Sequence, residues 1–111
     1  GYCVVEPIFD ARERPVDYRY LLANPALEHH TGLTDVVGKT ARSLMPGHES
    51  SWVEAYAQVA RTGMPIRRMD RVADLDRWFE VSAFPVGEPG GHQVGVLFTD
   101  VTARWRAEEA L

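Results

Sequence analysis

Four histidines, His29, His30, His48 and His92, and one cysteine, Cys3, are the side chains best suited to hold a metal or form a covalent bond. A zinc or haem site needs such ligands at defined spacings on well-placed elements. Here the histidines are scattered, with no carboxylate or cysteine cluster beside them, and they read as surface or turn residues. One cysteine excludes an intramolecular disulfide and any multi-cysteine metal site. General acid–base chemistry would need a carboxylate or histidine buried among apolar groups, with an oxyanion partner. Glu80 falls on the outward parity of its strand, Asp100 suits a capping role, and Glu54 shares a helix with solvent-facing Gln58. No Gly-rich phosphate loop, carboxylate pair or Ser/His/Asp spacing stands out. No catalytic residue and no metal ligand is assigned, and the domain reads as non-enzymatic.

The totals agree with a single domain. There are 111 residues, 45% apolar and 25% charged, enough for a modest core. The net charge of −4 gives no electrostatic support for direct nucleic-acid binding. No apolar run approaches the ~20 residues that span a bilayer. No membrane contact is expected of this segment, and a cytoplasmic location is the default reading.

The elements that position these residues follow from periodicity and punctuation. Cys3–Asp10 and Tyr18–Ala23 read as strands of a hairpin, with Pro7 favouring an edge or bulge. Asn24 and Pro25 open a short helix to His30, closed by Gly32. Further short turns run from Thr34 or Asp35 to Gly38 and from Thr40 to Leu44. Glu49–Thr62 is the long helix, whose apolar face of Trp52, Val53, Tyr56, Val59 and Ala60 suits a sheet. Three strands follow: Ile66–Val72, polar and edge-like, then Arg77–Phe84, then His92–Thr99, with turns at 73–76 and 88–91. The last strand passes through Asp100 and Thr102 into a helix from Ala103. That helix meets no stop signal by Leu111, so a longer natural chain is expected. The fold class is α+β, with helices gathered on one face of an antiparallel sheet.

Four stretches together resemble a PAS domain, the sensory box of bacterial signalling proteins. They are Asn24–Leu27 with Thr31–Leu33 and Val37–Lys39, then Arg61–Gly63 with Pro65, then Trp78–Val86, and finally Gly95–Arg104 with its Asp-x-Thr junction. The resemblance covers essentially the whole chain. It implies a five-stranded antiparallel sheet cupping a small cavity, with residues 1–102 as the sensory domain and 103–111 as the start of a C-terminal signalling helix. It also implies a frequent homodimer and an output domain in the same chain, a histidine kinase by analogy. Asp100 and Thr102 would form the signal junction. Ala103 stands where the family commonly has Glu, so Thr102 would lack a capping-box partner at Trp105.

The same resemblance bears on cofactors. Light-sensing flavin members carry a cysteine within an Asn-Cys-Arg-Phe-Leu-like run, where this chain has Thr40-Ala41-Arg42-Ser43-Leu44. Polar residues that grip the flavin ring align roughly with Met69, Phe79 and Phe98. A covalent flavin adduct is therefore not expected, while a non-covalent flavin stays open. Haem-binding members take a histidine from the long helix, which has none; His48 precedes it. A cinnamoyl thioester would need a cysteine in the pocket, and Cys3 reads as core packing. The cofactor is left unknown, and none is required.

The inward set is Leu44, Trp52, Tyr56, Met69, Phe79, Val81, Val96 and Phe98, with Arg67 sharing the parity of Met69. These are the candidate pocket residues for a small-molecule ligand, although a filled core is the plainer reading of such aromatics. Trp78, Phe84 and Leu97 share the outer face and are the candidate dimer surface. Trp105 and Leu111, with Val101 and Glu108, fall near a 3-4 spacing, too short to establish a coiled coil. The expected function is a sensory module that detects a ligand or relays signals through dimerisation. The alternatives are a ligand-free interaction module and, from another class, a small enzyme with an α+β cup.

Overall fold

The computed structural model describes residues 1–47, 50–72, 75–88 and 90–109, and for His30 the backbone alone. The elements run β1 (Tyr2–Phe9), β2 (Pro15–Ala23), α1 (Pro25–Thr31), α2 (Ala41–Leu44), α3 (Ser50–Thr62), β3 (Ile66–Val72), β4 (Arg77–Val86), β5 (Gln93–Asp100) and α4 (Thr102–Glu109). The α+β class and the five-stranded antiparallel sheet are as the sequence led one to expect. The strand order is β2-β1-β5-β4-β3, so the polar strand β3 is indeed an edge. The expected locations of His48, of Ala73 and Asp74 in one turn, of Pro89 in another and of Leu111 in a seam lie outside the described residues.

Local chemistry sets the boundaries. Asn24 caps α1: its Oδ1 accepts from Leu27 N–H at 3.2 Å and also from Tyr2 N–H at 3.0 Å, joining the helix start to β1. Gly32 ends α1 in the left-handed conformation, at φ 77°, which a Cβ would resist. Thr40 caps α2 through a bond from Ser43 N–H.

The sheet is built from two pieces. The hairpin β1–β2 and the meander β3–β4–β5 meet along β1–β5, where the register pairs only Tyr2–Val5 with Val94–Leu97. Pro7 lies beyond that seam and pairs with Tyr18 of β2 alone, so its missing N–H costs the sheet nothing on the β5 side. The β4–β5 ladder, by contrast, runs from Phe79 to Val86.

Helix α3 lies across one face of the sheet, against β1, β2, β4 and β5. It buries Trp52, Val53, Tyr56, Ala57 and Val59, while Glu54 and Gln58 stay exposed. The core between them includes Val5, Tyr18, Tyr20, Phe79, Val81, Val94, Val96 and Phe98. Helix α4 turns the other way and packs its first turns on the outer face of the sheet, at β4.

Candidate functional site

A cavity of about 60 Å³ lies between α3, α1 and the inner face of the sheet. Of the nine residues named as pocket candidates, Trp52, Tyr56, Phe79, Val81, Val96 and Phe98 line it. The other three do not. Leu44 packs against the core from the end of α2, and its neighbour Met45 reaches the cavity in its place. Met69 is 47% exposed on the outer face. Arg67 is outside as well, with Nε donating to Glu80 Oε1 at 2.9 Å.

The β3 parity is thus the reverse of the expectation. Register explains why: Met69 pairs with Glu80 and Arg67 with Ser82, and opposed residues of an antiparallel pair share a face. Both faces of β3 are polar, so its own pattern carries no parity. Glu80 points outward by the alternation of β4, and the β3–β4 register transmits that orientation to Met69.

The sequence reading missed Tyr18, Tyr20 and Cys3 as cavity residues. The first two were visible as alternating aromatics on β2; what was lacking was the face. Their rings pack edge-on, with Tyr18 5.6 Å from Tyr20 and 5.0 Å from Tyr56. Burial raises the phenol pKa values of Tyr18 and Tyr56 well above the ordinary range and that of Tyr20 in the same direction. All three remain neutral hydroxyls near neutral pH. Burial pushes the Cys3 thiol up to about 12, so it is a packed, protonated sulfur rather than a nucleophile.

Trp52 sits at the centre of α3's buried face, 1% exposed. Its ring lies 6.1 Å from Tyr56, with the Arg68 guanidinium 4.1 Å over its face. Arg68 in turn bonds Asp70 at 2.7 Å, and that bond, ahead of a bond from the Arg71 backbone N–H, lowers the Asp70 carboxyl pKa. The Trp52 indole Nε1–H is buried and has no hydrogen-bond partner among the described residues.

The cavity is joined to the C-terminal helix by two consecutive residues. Phe79 lines the cavity and meets Phe98 edge-on at 5.7 Å. Trp78, on the opposite face, holds the junction at three points. Its N–H donates to Thr102 Oγ1 at 2.9 Å, its carbonyl accepts from Val101 N–H at 2.8 Å, and its ring stacks on Trp105 at 4.0 Å. Asp100 Oδ1 accepts from Thr102 N–H at 2.9 Å and pairs with Arg77 at 3.6 Å. Thr102 therefore ties the helix to β4 rather than capping it. Helix α4 begins at Thr102 itself, and Trp105 N–H bonds to Val101 O. Arg104 lies 3.7 Å from Glu80, whose carboxyl pKa is held low by Arg67 first and Arg104 second.

The outer face corrects another expectation. Trp78, named for the dimer surface, is covered within the chain by Trp105, which is half-buried against the sheet. Phe84 stacks on Tyr2 at 6.4 Å, and Leu97 remains 51% exposed.

Flavin and haem can be tested against this geometry. A cavity of about 60 Å³ lined by three tyrosines and a tryptophan has no room for a tricyclic isoalloxazine or a porphyrin. No histidine lines it among the described residues; His29 is exposed on α1 and His92 lies against Phe9. The residues present do not fit either group. Among the described residues no cluster of three or more His, Cys, Asp or Glu side chains could hold a metal ion, and no helix is long and apolar enough to cross a membrane.

Comparison with solved structures finds the same architecture. A domain of an HTR-like protein from Haloarcula marismortui is similar with a TM-score of 0.65 and 19% identity, covering 91% of this chain and 98% of that one. An RNA-binding light-oxygen-voltage receptor gives 0.64 and 23%, covering 96% of this chain and 31% of that one. A domain assigned to a light and redox sensing histidine kinase, also from Haloarcula marismortui, gives 0.59 and 18%, covering 92% and 90%. At such identities the likeness is one of fold. No curated protein matches. The family profile described as the PAS fold matches residues 16–106, a span that includes most of the cavity lining, the long helix and the Asp-x-Thr junction. By that match, and by a sheet, cavity and junction of the matching form, the chain belongs to the PAS fold family.

Proposed function

We propose that this domain is a non-catalytic sensory relay in which the state of the cavity is passed to a C-terminal output domain through α4. The observation that carries this is the adjacency of Phe79 and Trp78. One ring lines the cavity, and the next residue holds Thr102, Val101 and Trp105. A displacement of Phe79 moves the backbone to which the helix is tied. The histidine-kinase domain among the structural neighbours supports a kinase as the output, as an analogy of fold.

Amide hydrogen exchange along α4 tests the relay. Phe79→Leu enlarges the cavity, and Val59→Ala removes comparable packing from a buried site outside the cavity lining. Phe79→Leu is expected to speed exchange over residues 103–109 well beyond the control. Equal exchange in two variants of matched stability would reject coupling.

We also infer that the domain pairs with a second copy through the apolar half of the outer face. Leu22 and Val4 are opposite each other, Tyr2 opposes Leu97, and Phe84 stacks on Tyr2. The charged groups Arg67, Glu80 and Arg104 are collected towards β3 and pair with one another. Beyond the apolar patch on the same face Glu6 lies opposite Arg19, so a two-fold pairing can set each against the opposite charge of the second copy.

A further inference from the structure

The cavity has a chemical character of its own. Its lining contains no charged side chain. Arg68, which lies over the Trp52 face, is engaged with Asp70. A carboxylate or ammonium ligand would enter without a counter-charge, and burying an unpaired charge is strongly unfavourable. Of the four hydroxyl-bearing residues on the lining, Tyr18, Tyr20, Thr31 and Tyr56, three are already committed. The Tyr18 and Tyr20 side chains hydrogen-bond to each other. The Thr31 hydroxyl donates to Leu27 O at 2.7 Å and accepts from Leu33 N–H at 3.1 Å. Cys3 adds a buried, protonated thiol, which is a weak hydrogen-bonding group.

The rest of the lining is aliphatic, aromatic or thioether. A buried water is ordinarily held by about three polar partners, a set in which such a wall is poor, so an apolar guest displaces no firmly held water. Size narrows the class further. One water needs roughly 10–15 Å³ on the scale of this cavity, so its volume admits a molecule of about single-ring size. On the reading of the cavity as sensory, we infer that it takes a small uncharged apolar molecule of about one ring, held by shape and dispersion rather than by charge or hydrogen bonds. Benzene is the simplest probe of that class.

The test uses four probes built on one ring: benzene, phenol, benzoate and benzylammonium. The readout is the methyl resonances of Val81 and Val96, which line the cavity, in carbon-13 correlation spectra, against those of Val59, which is buried outside the lining. Benzene is expected to shift the Val81 and Val96 methyls with saturation and to leave Val59 in place. Phenol should bind roughly ten-fold more weakly, the cost of desolvating a hydroxyl that finds no partner. Tyr56→Phe removes the remaining hydroxyl and should leave the benzene affinity within about two-fold, since no hydrogen bond holds the guest. If that variant does not fold, the wild-type comparison decides.

Phenol binding as tightly as benzene, or more so, would overturn the apolar class and leave the sensory reading standing. Tighter binding of either ion would overturn the uncharged class. Equal shifts at Val59 would mean that benzene dissolves in the core at large and would overturn the cavity as its site. Absence of a saturable shift with any probe would overturn the ligand class altogether. The relay would still be judged separately by hydrogen exchange on α4.

Discussion

Trp78 and Trp105 stack with ring centroids 4.0 Å apart and planes inclined by 22°, one from β4 and the other from α4. Their contact fixes the direction in which the C-terminal helix leaves the sheet. A stacked aromatic pair contributes about 0.5–1.5 kcal/mol beyond its buried area. Trp105→Ala is expected to destabilise the domain by about 1 kcal/mol and abolish the exciton couplet that two stacked indoles give in circular dichroism. Thr102→Val, which leaves the Trp78 N–H without its acceptor, should cost a similar ~1 kcal/mol. Unchanged dichroism in Trp105→Ala would show that the helix is not held by the stack.

The orientation of β3 makes a paired prediction. Phe79 is buried, whereas Met69 faces outward opposite Glu80. Phe79→Ala should cost about 3–5 kcal/mol, as large truncations in a core do. Met69→Ala should stay within about 0.5 kcal/mol. Urea midpoints measured side by side decide, and comparable losses would mean that β3 is turned the other way.

The exposed Leu97 is the handle on self-association. Leu97→Arg places charge at the centre of the apolar patch, and the variant is expected to sediment as a monomer while its stability changes by no more than about 0.5 kcal/mol. A wild-type domain that is monomeric at every accessible concentration would remove the outer face as a contact between copies.

Alkali should weaken the fold through groups that burial keeps protonated. Cys3 titrates at about 12 in the folded chain against an ordinary 9.0, and Tyr18 and Tyr56 lie well above their ordinary 10.0. Their stabilising contribution is complete below the ordinary values, where folded and unfolded chains hold the same protons. It declines as pH rises past those values, because the unfolded chain releases its protons first, and is lost once pH has risen through the folded values. Urea midpoints should therefore fall steadily above about pH 9, with Cys3→Ala delaying the onset. A midpoint that stays level through that range would contradict the burial of the thiol.

Much of this architecture was legible from residues whose physics is local. Asn24, Pro25 and Gly32 punctuate α1 as capping rules require, and the alternation of Phe79, Val81 and Ala83 placed β4 correctly on the core. The failures arose where orientation depends on a partner strand. Arg67 and Met69 belong to a strand polar on both sides, so only its pairing with Ser82 and Glu80 fixes their direction. Cys3 lines the cavity because Cys3 pairs with Val96 of β5, a contact 93 residues away along the chain. Thr102 fits the expected junction in type, but its hydroxyl serves Trp78 rather than its own helix, a choice set by tertiary contact.

The short β1–β5 register divides the cavity walls between two separately connected ribbons. Cys3, Tyr18 and Tyr20 ride on the N-terminal hairpin, while Phe79, Val81, Val96 and Phe98 ride on the C-terminal meander. Between them run four paired positions, and past Val5 strand β1 is bound to β2 alone. Such a join resembles a zip fastened at one end. The cavity can widen by parting the ribbons from the Pro7 end without breaking the long β4–β5 ladder that carries Trp78 and α4. On the proposed relay, widening of the cavity and attachment of the output helix would fall to different ladders of one sheet.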